Sequence, residues 1–319
     1  MPGTFAHIAL ADSLCQNAEA LDRVSSLTPA MKRALMQFNN FCEFGAISSD
    51  APYLTLLSTE AACWANVMHY WKPTDFVRHA IAHTCTMDFA TTGAQKCLAW
   101  LFGYTTHLVA DMTVHPVINL HVGPYAQNKL QHRLCEVNED VYIFHALGYG
   151  EICTAESIKR GGIKSCADQT DNDKLDASIR NLWILSLSDY PTGSIQMKKG
   201  LSAPKSQPRP DEWFDHYVTM IDKFAEEGGR FPRLSRRVFE AEGVVYPTQA
   251  NVDPRFIRSL KLPDGTTADY DVVFELARQN ILKTWQTLGA ALTARDASLF
   301  TLPNADLDTG RNEANQFVF

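Results

Sequence analysis

Several signatures are absent from this sequence, and each absence excludes a class of protein. The eight cysteines include no Cys-x-x-Cys pair, which favours reduced, mostly buried thiols over a disulfide framework or a thiolate metal site. No apolar run approaches the roughly 20 residues that a membrane-spanning helix needs. The first residues have neither a basic start nor a continuous apolar stretch, so we expect no signal peptide and a cytoplasmic location.

Positive charge is also scarce, since 29 Lys and Arg residues stand against 36 Asp and Glu residues. A net charge of −7 argues against a broad nucleic-acid-binding face. The interleaved aromatic residues of a single-strand groove are missing as well, and we expect no stable nucleic-acid complex. The sequence has no His-Glu-x-x-His, Gly-x-Ser-x-Gly or phosphate-loop motif, and no Glu-x-x-His pairs of the di-iron type.

A chain of 319 residues with 45% hydrophobic content can form one large domain or two modest ones. We interpret residues 1–150 as a metal-binding helical core and 151–210 as an irregular polar insert or linker. Residues 211–300 are predicted to be helical and to pack on the core, and their clearest helix spans about residues 268–293. Residues 301–319 form a tail, whose polar and acidic character from residue 303 onward predicts disorder.

Residues 102–140 carry metal-ligand side chains at helical spacing. His107, Asp111 and His115 recur every four residues, so they share one face of a helix. His132 and Glu136 repeat the same spacing. One such pair is an ordinary contact on a helix surface, but two pairs on apolar helices are costly to bury unless cations compensate their charge. The pattern therefore predicts a site for divalent metal ions.

Two neighbours refine this prediction. Pro116 disfavours helical geometry at His115, so we expect the helix to end there and to leave His115 at the mouth of the site. Asp140 lies one turn beyond Glu136, and we expect its carboxylate to fix the tautomer of a histidine.

Three more candidates lie upstream, and each has an ordinary alternative. His7 is either a ligand or a residue on an amphipathic helix over residues 5–21. Asp50 is either a ligand or a turn residue before Ala-Pro-Tyr. His69 is either a ligand or an interfacial histidine among aromatic residues.

The order of these residues resembles the zinc-dependent phospholipase C superfamily, which also contains single-strand nucleases and glycosylphosphatidylinositol-specific phospholipase D. The residues that carry the resemblance are His107-x-x-x-Asp111, His115-Pro116 and His132-x-x-x-Glu136, preceded by His7, Asp50 and His69. The short gap between Asp111 and His115 is closest to the phospholipase D branch. The resemblance covers roughly residues 2–145. It implies an all-α, multi-helix bundle with the metal cluster at the helix ends and a mostly helical C-terminal extension.

The resemblance implies two to three zinc ions and nine ligand positions in three groups. The first group is Asp50, His69, His107 and Asp111, the second is Pro2, His7 and Asp111, and the third is His115, His132 and Glu136. Asp111 would bridge two ions. Pro2 would bind through a free imino terminus after removal of Met1. Nitrogen and oxygen ligands without thiolate are typical of open, catalytic zinc sites.

The function implied by the resemblance is zinc-dependent hydrolysis of a phosphoric ester, as in a phospholipase C-like phosphodiesterase. A hydroxide would bridge the same zinc pair that Asp111 bridges. Asp50 would orient the water from which it forms or accept its proton. The expected partner is a phosphoester substrate with a lipid head group, reached by transient contact with a membrane surface. Two alternatives stay open: a single-strand nuclease-like phosphodiesterase, and a non-catalytic metal-binding helical protein.

Overall fold

The computed structural model describes residues 3–55, 58–152, 162–190, 202–226 and 246–319. In these ranges the chain is mainly α-helical, which confirms the predicted all-α class. The helices are α1 (Thr4–Cys15), α2 (Ala18–Arg23), α3 (Pro29–Gln37), α4 (Asn39–Gly45), α5 (Thr59–Tyr70), α6 (Pro73–Cys85), α7 (Thr92–Val122), α8 (Lys129–Ala146), α9 (Ala177–Ser188), α10 (Pro210–Glu226) and α11 (Tyr270–Ala294). Two short antiparallel hairpins pair β1 (Leu260–Lys261) with β2 (Thr267–Ala268) and β3 (Ala305–Asp306) with β4 (Arg311–Asn312).

Helix α7 is the centre of the bundle and packs against α1, α3, α4, α6 and α11. All residues from 97 to 118 are buried, because neighbouring helices cover every face of this segment. Any charged side chain on this part of α7 therefore lies in the protein interior. Within the described ranges, none of the helices has both the length and the apolar character to cross a lipid bilayer.

The expected end of this helix at His115 is wrong, since α7 continues through Pro116 to Val122. Proline has no N–H to donate to the carbonyl of Met112, four residues earlier. Gly310 lies against this carbonyl and the proline ring, and a Cβ at residue 310 would be 2.5 Å from Met112 O and 2.6 Å from Pro116 Cγ. Burial of the helix on all sides overrides the local preference. His115 is thus inside the helix rather than at its end.

Helices α4 and α7 approach each other through two glycines. A Cβ on Gly45 would lie 2.1 Å from the carbonyl oxygen of Trp100, and a Cβ on Gly103 would lie 1.9 Å from that of Cys42. The two backbones are therefore in direct contact. This approach brings the residues just after α4 close to the ligand-bearing face of α7.

The single amphipathic helix expected over residues 5–21 is divided into α1 and α2, and α1 is buried on most sides. Its first turn is held by Asp140 of α8, whose Oδ1 accepts a hydrogen bond from the N–H of Ala6 at 2.7 Å. A carboxylate is favourable at this end of a helix because the exposed N–H groups carry partial positive charge. Only glycine fits at residue 3, where a Cβ would be 2.0 Å from Asp140 Oδ2. Asp140 thus positions α1, and the expectation that it fixes a histidine tautomer is wrong.

The segment 151–210, expected to be irregular, contains helix α9. Its Trp183 is buried, with ring centroids 5.5 Å from Trp100 and 5.1 Å from Trp213 of α10. The helix predicted over residues 268–293 is observed as α11, and the indole N–H of Trp285 donates to the carbonyl of Phe102 at 3.2 Å. The second half of the chain therefore packs directly on α7.

The expectation of a disordered tail is also wrong, because residues 303–319 form the hairpin β3–β4 and contact three helices. The N–H of Thr74 in α6 donates to Asn304 Oδ1 at 2.9 Å. The N–H of Leu307 donates to the carbonyl of His69 in α5 at 3.2 Å. The polar residues of the tail, which favour disorder when they are hydrated, make hydrogen bonds within the protein instead. This segment reaches the predicted metal centre.

Candidate metal centre

Asp111 lies at the middle of α7 and is completely buried. Its Oδ1 is 3.2 Å from Nε2 of His7 on α1 and 3.9 Å from Nε2 of His115. Its Oδ2 is 3.2 Å from Nε2 of His107. One carboxylate is therefore shared by three imidazoles that come from two helices.

Asp50 supplies a second buried carboxylate, from the position just before the 3₁₀ helix Ala51–Leu54. Its Oδ1 is 3.0 Å from Nε2 of His69, and its Oδ2 is 4.0 Å from Nδ1 of His107. The His107 ring stacks on His7 at 4.3 Å and meets the edge of His69 at 5.4 Å. The imidazole of His107 thus lies between the two carboxylates.

Backbone carbonyls orient three of the histidines. The contacts join Nδ1 of His69 to Ala65 O at 2.8 Å, Nδ1 of His107 to Ala46 O at 2.9 Å, and Nδ1 of His115 to Leu307 O. Because a carbonyl oxygen only accepts hydrogen bonds, each of these Nδ1 atoms carries a proton. When its ring is neutral, each of these histidines presents the lone pair of Nε2 to a carboxylate oxygen. Two acceptors that face each other need a proton or a metal cation between them, and metal-binding histidines are commonly held in this way.

Several atoms of the centre are buried without any hydrogen bond, although buried polar atoms are normally paired. They are both carboxylate oxygens of Asp111, both ring nitrogens of His7, and the Nε2 atoms of His107 and His115. Two sets of three residues have ligand atoms within 4.8 Å of one another, namely His7, His107 and Asp111, and Asp50, His69 and His107. Imidazole nitrogen with carboxylate oxygen suits zinc, so the residues present fit the predicted ion.

His132 and Glu136 lie together on α8, one helical turn apart. Nε2 of His132 donates to the backbone carbonyl just beyond α7 at 2.6 Å, and its Nδ1 is buried without a hydrogen bond. Glu136 is buried and accepts from Arg133 at 2.9 Å. In the part of the chain that the structure describes, these two residues and His115 do not form a set as close as the other two. Pro2 lies outside the described residues.

Burial and the neighbouring carboxylates have opposite effects on the pKa values of the histidines. Burial lowers the pKa of His7, and it lowers the pKa of His115 to about 4. Burial acts in the same direction on His107, but the carboxylates of Asp111 and Asp50 outweigh it and raise the pKa of His107 to about 9. At neutral pH and without a bound cation, Nε2 of His107 therefore holds a proton that faces Asp111.

Zinc affinity is expected to increase as the pH rises towards about 9. Nε2 of His107 must lose its proton before it can bind zinc, and a pKa of about 9 keeps that proton in place at neutral pH. This group alone makes the apparent affinity about tenfold weaker for each pH unit below that value. Competition with a chromophoric chelator over a pH series measures the slope. An affinity that is constant between neutral pH and about 9 would contradict this account of His107.

Sequence reasoning missed the residues that support the ligands from a distance. Leu307 O accepts from His115, and the adjacent carboxylate of Asp308 accepts from the hydroxyl of Tyr70 at 2.9 Å. Backbone carbonyls have no sequence signature. The one available signal is Asp-Leu-Asp-Thr-Gly at residues 306–310, which has the composition of a turn.

The fold and the site define an all-α protein with a buried cluster of histidines and carboxylates suited to divalent metal ions. The family model described as zinc dependent phospholipase C matches residues 6–192, which include most of α1 and all of α2 to α9. The chain belongs to this family and is a phospholipase C-like hydrolase with zinc as its cofactor. The expected resemblance is confirmed, and the match spans residues 6–192 rather than roughly 2–145. No curated protein and no solved structure matches the chain.

Proposed function

We propose that this protein hydrolyses the phosphodiester bond of a phospholipid, with a diacylglycerol and a phosphorylated head group as products. The observation that supports this most strongly is the pair of buried carboxylates that face imidazole nitrogens across gaps needing a proton or a metal cation. Bound zinc ions lower the pKa of a coordinated water and neutralise the negative charge of a phosphate group. The membership of the phospholipase C family favours a phospholipid-type substrate.

We propose the same three ligand groups that the sequence predicts. Asp111 is the bridging residue, because its two oxygens face His7 and His107 separately at 3.2 Å. His107 belongs to both close sets and lies within 4.0 Å of Asp50 and 3.2 Å of Asp111. The remaining ligands are His69 and Asp50 in the first group, Pro2 in the second, and His115, His132 and Glu136 in the third.

Asp50 is proposed to accept the proton of the attacking water. Burial would raise its pKa, but the neighbouring His107 and His69 outweigh burial and lower it, so the carboxylate is ionised and able to take a proton. The water oxygen forms a bond to phosphorus while the bond between phosphorus and the glycerol oxygen breaks. The departing glycerol oxygen takes a proton from solvent water and leaves as the hydroxyl of diacylglycerol, while Asp50 returns its proton to solvent.

The test is head-group release from vesicles that contain phosphatidylcholine, phosphatidylethanolamine and phosphatidylinositol, with protein purified without chelator. We expect a phosphorylated head group and zinc bound to the wild-type chain. Asp50→Asn should lower the rate by about a hundredfold or more, because it removes a general base. The matched control is Asp189→Asn, which breaks a surface Asp–His contact with His83 at 2.7 Å and should keep the wild-type rate.

Three results would contradict the proposal. Cleavage of single-stranded DNA without phospholipid hydrolysis would identify a nuclease. Bound zinc without turnover of either substrate would identify a non-catalytic metal-binding protein. A wild-type rate for Asp50→Asn would remove Asp50 from the reaction.

A further inference from the structure

We propose that residues 305–310, here called the closing segment, complete the zinc site of His115 and His132, with Asp308 as its positioning carboxylate. The inference rests on the zinc ligation proposed above. It concerns residues outside the matched family region, which ends at residue 192. It therefore assigns part of the metal centre to a portion of the chain that the family model does not cover.

The backbone of Leu307 connects two ligand-bearing helices. Its N–H donates to the carbonyl of His69 on α5 at 3.2 Å, and its carbonyl accepts from Nδ1 of His115 on α7. The side chain of Leu307 is completely buried, so this arrangement is fixed by packing as well as by hydrogen bonds. The carbonyl selects the tautomer in which Nε2 of His115 has a free lone pair on the side of Asp111.

Asp308 adds a negative charge at the same place. Its Oδ2 accepts from the hydroxyl of Tyr70 at 2.9 Å, and its backbone carbonyl accepts from the side-chain amide of Asn119. Asp308 follows Leu307 directly in the chain, and Asn119 lies one helical turn beyond His115 on α7. The half-buried carboxylate of Asp308 therefore lies beside His115.

The negative charge of Asp308 suits the net charge of the proposed third zinc site. Two neutral imidazoles and the carboxylate of Glu136 leave one net positive charge on a divalent ion. Asp308 supplies the compensating negative charge from just outside the ligands. Carboxylates and carbonyls that support metal-binding histidines typically change metal affinity by about 10- to 100-fold when they are removed.

Contacts that do not involve the Asp308 side chain hold the closing segment in place. The carbonyl of Asp306 accepts from the N–H groups of Thr309 at 3.2 Å and Gly310 at 2.8 Å. Gly310 has a positive φ of 62° and lies against the carbonyl of Met112. Substitution of Asp308 can therefore test its charge without removing the segment.

The experiment compares Asp308→Asn with the wild-type chain, using zinc as the probe. Protein purified without chelator is dialysed against a weak chelator, the zinc content is measured by elemental analysis, and each affinity is measured by competition. We expect three zinc ions per wild-type chain. In Asp308→Asn, one affinity should fall by about 10- to 100-fold while the other two stay unchanged.

Two further variants separate charge from position. Tyr70→Phe keeps the carboxylate but removes the hydroxyl that orients it, so the same zinc affinity should fall by a smaller factor. Glu313→Gln removes an exposed charge from the same hairpin and should bind zinc as the wild type does.

The inference would be overturned if each of the three zinc affinities were the same in Asp308→Asn as in the wild type. It would also be overturned if Asp308→Asn lost all three ions together. Wild-type protein that hydrolyses phospholipid with only two bound ions would also overturn it, yet would leave the proposed function intact. Wild-type protein that binds no zinc would contradict the proposed function itself. Circular dichroism checks that each variant is folded. If Asp308→Asn is unfolded, Tyr70→Phe provides the test.

Discussion

Asp111→Asn is expected to abolish phospholipid hydrolysis and to release the zinc ions of the first two groups, with the helical content unchanged. The side chain is completely buried, and both its oxygens face imidazole nitrogens. Asparagine has nearly the same shape but turns one acceptor into a donor and removes the charge. A metal ion contributes several kcal/mol of transition-state stabilisation, so its loss corresponds to a rate reduction of about a thousandfold or more.

The measurements for this variant are the zinc content, the rate of head-group release and the circular dichroism spectrum. Asp189→Asn serves again as the control, because it alters an Asp–His contact of similar length at the surface. Wild-type zinc content and wild-type turnover in Asp111→Asn would contradict the bridging role. Loss of helical content would mean that Asp111 is needed for folding instead.

Gly103→Ala is expected to lower the free energy of unfolding by about 3 kcal/mol or more, as severe overpacking does. The added Cβ would lie 1.9 Å from the carbonyl oxygen of Cys42, and a backbone atom cannot rotate away. Helices α4 and α7 must separate to admit it. Since Ala46 follows α4 and its carbonyl orients His107, zinc affinity should fall as well. Urea unfolding and chelator competition measure the two effects.

Gly93→Ala is the matched control, because it makes the same substitution in the first turn of the same helix. Its Cβ would meet the hydroxyl of Ser178 at 2.6 Å, and this side chain can change rotamer. The change in unfolding free energy should stay within about 1 kcal/mol, where alanine's higher helix propensity offsets part of any strain. Similar destabilisation in both variants would show that the contact between α4 and α7 has no special role.

The core of the site could be predicted because its residues are spaced by local helix geometry. A four-residue step places His107, Asp111 and His115 on one face whatever surrounds the helix. The same step could not assign the role of Asp140, since the spacing is equally suited to a ligand, a ligand partner or a helix cap. Its observed role depends on α1, which lies about 135 positions earlier in the sequence.

The two wrong predictions, for the end of α7 and for the tail, have the same physical cause. Contacts between distant parts of the chain outweigh the local preferences on which the predictions rest. Pro116 was expected to end α7 because its local cost is real, but burial by neighbouring helices outweighs that cost. The polar and acidic composition of the tail predicts disorder, but its hydrogen-bonding partners lie in helices far away in the sequence. Neither Leu307 nor Asp308 belongs to a motif, and both act through position.

The contact between His115 and Leu307 joins residues 192 positions apart, which has a consequence for the kinetics of zinc exchange. Contacts between distant residues form slowly compared with those inside a helix or between adjacent helices. An ion that binds early in folding would therefore meet a centre that is still open on the side of His115. In the folded protein, local opening of residues 305–310 would expose that side without unfolding α7. Under the proposed ligation, we expect the ion at His115 to leave through opening of this segment rather than through unfolding of the whole bundle.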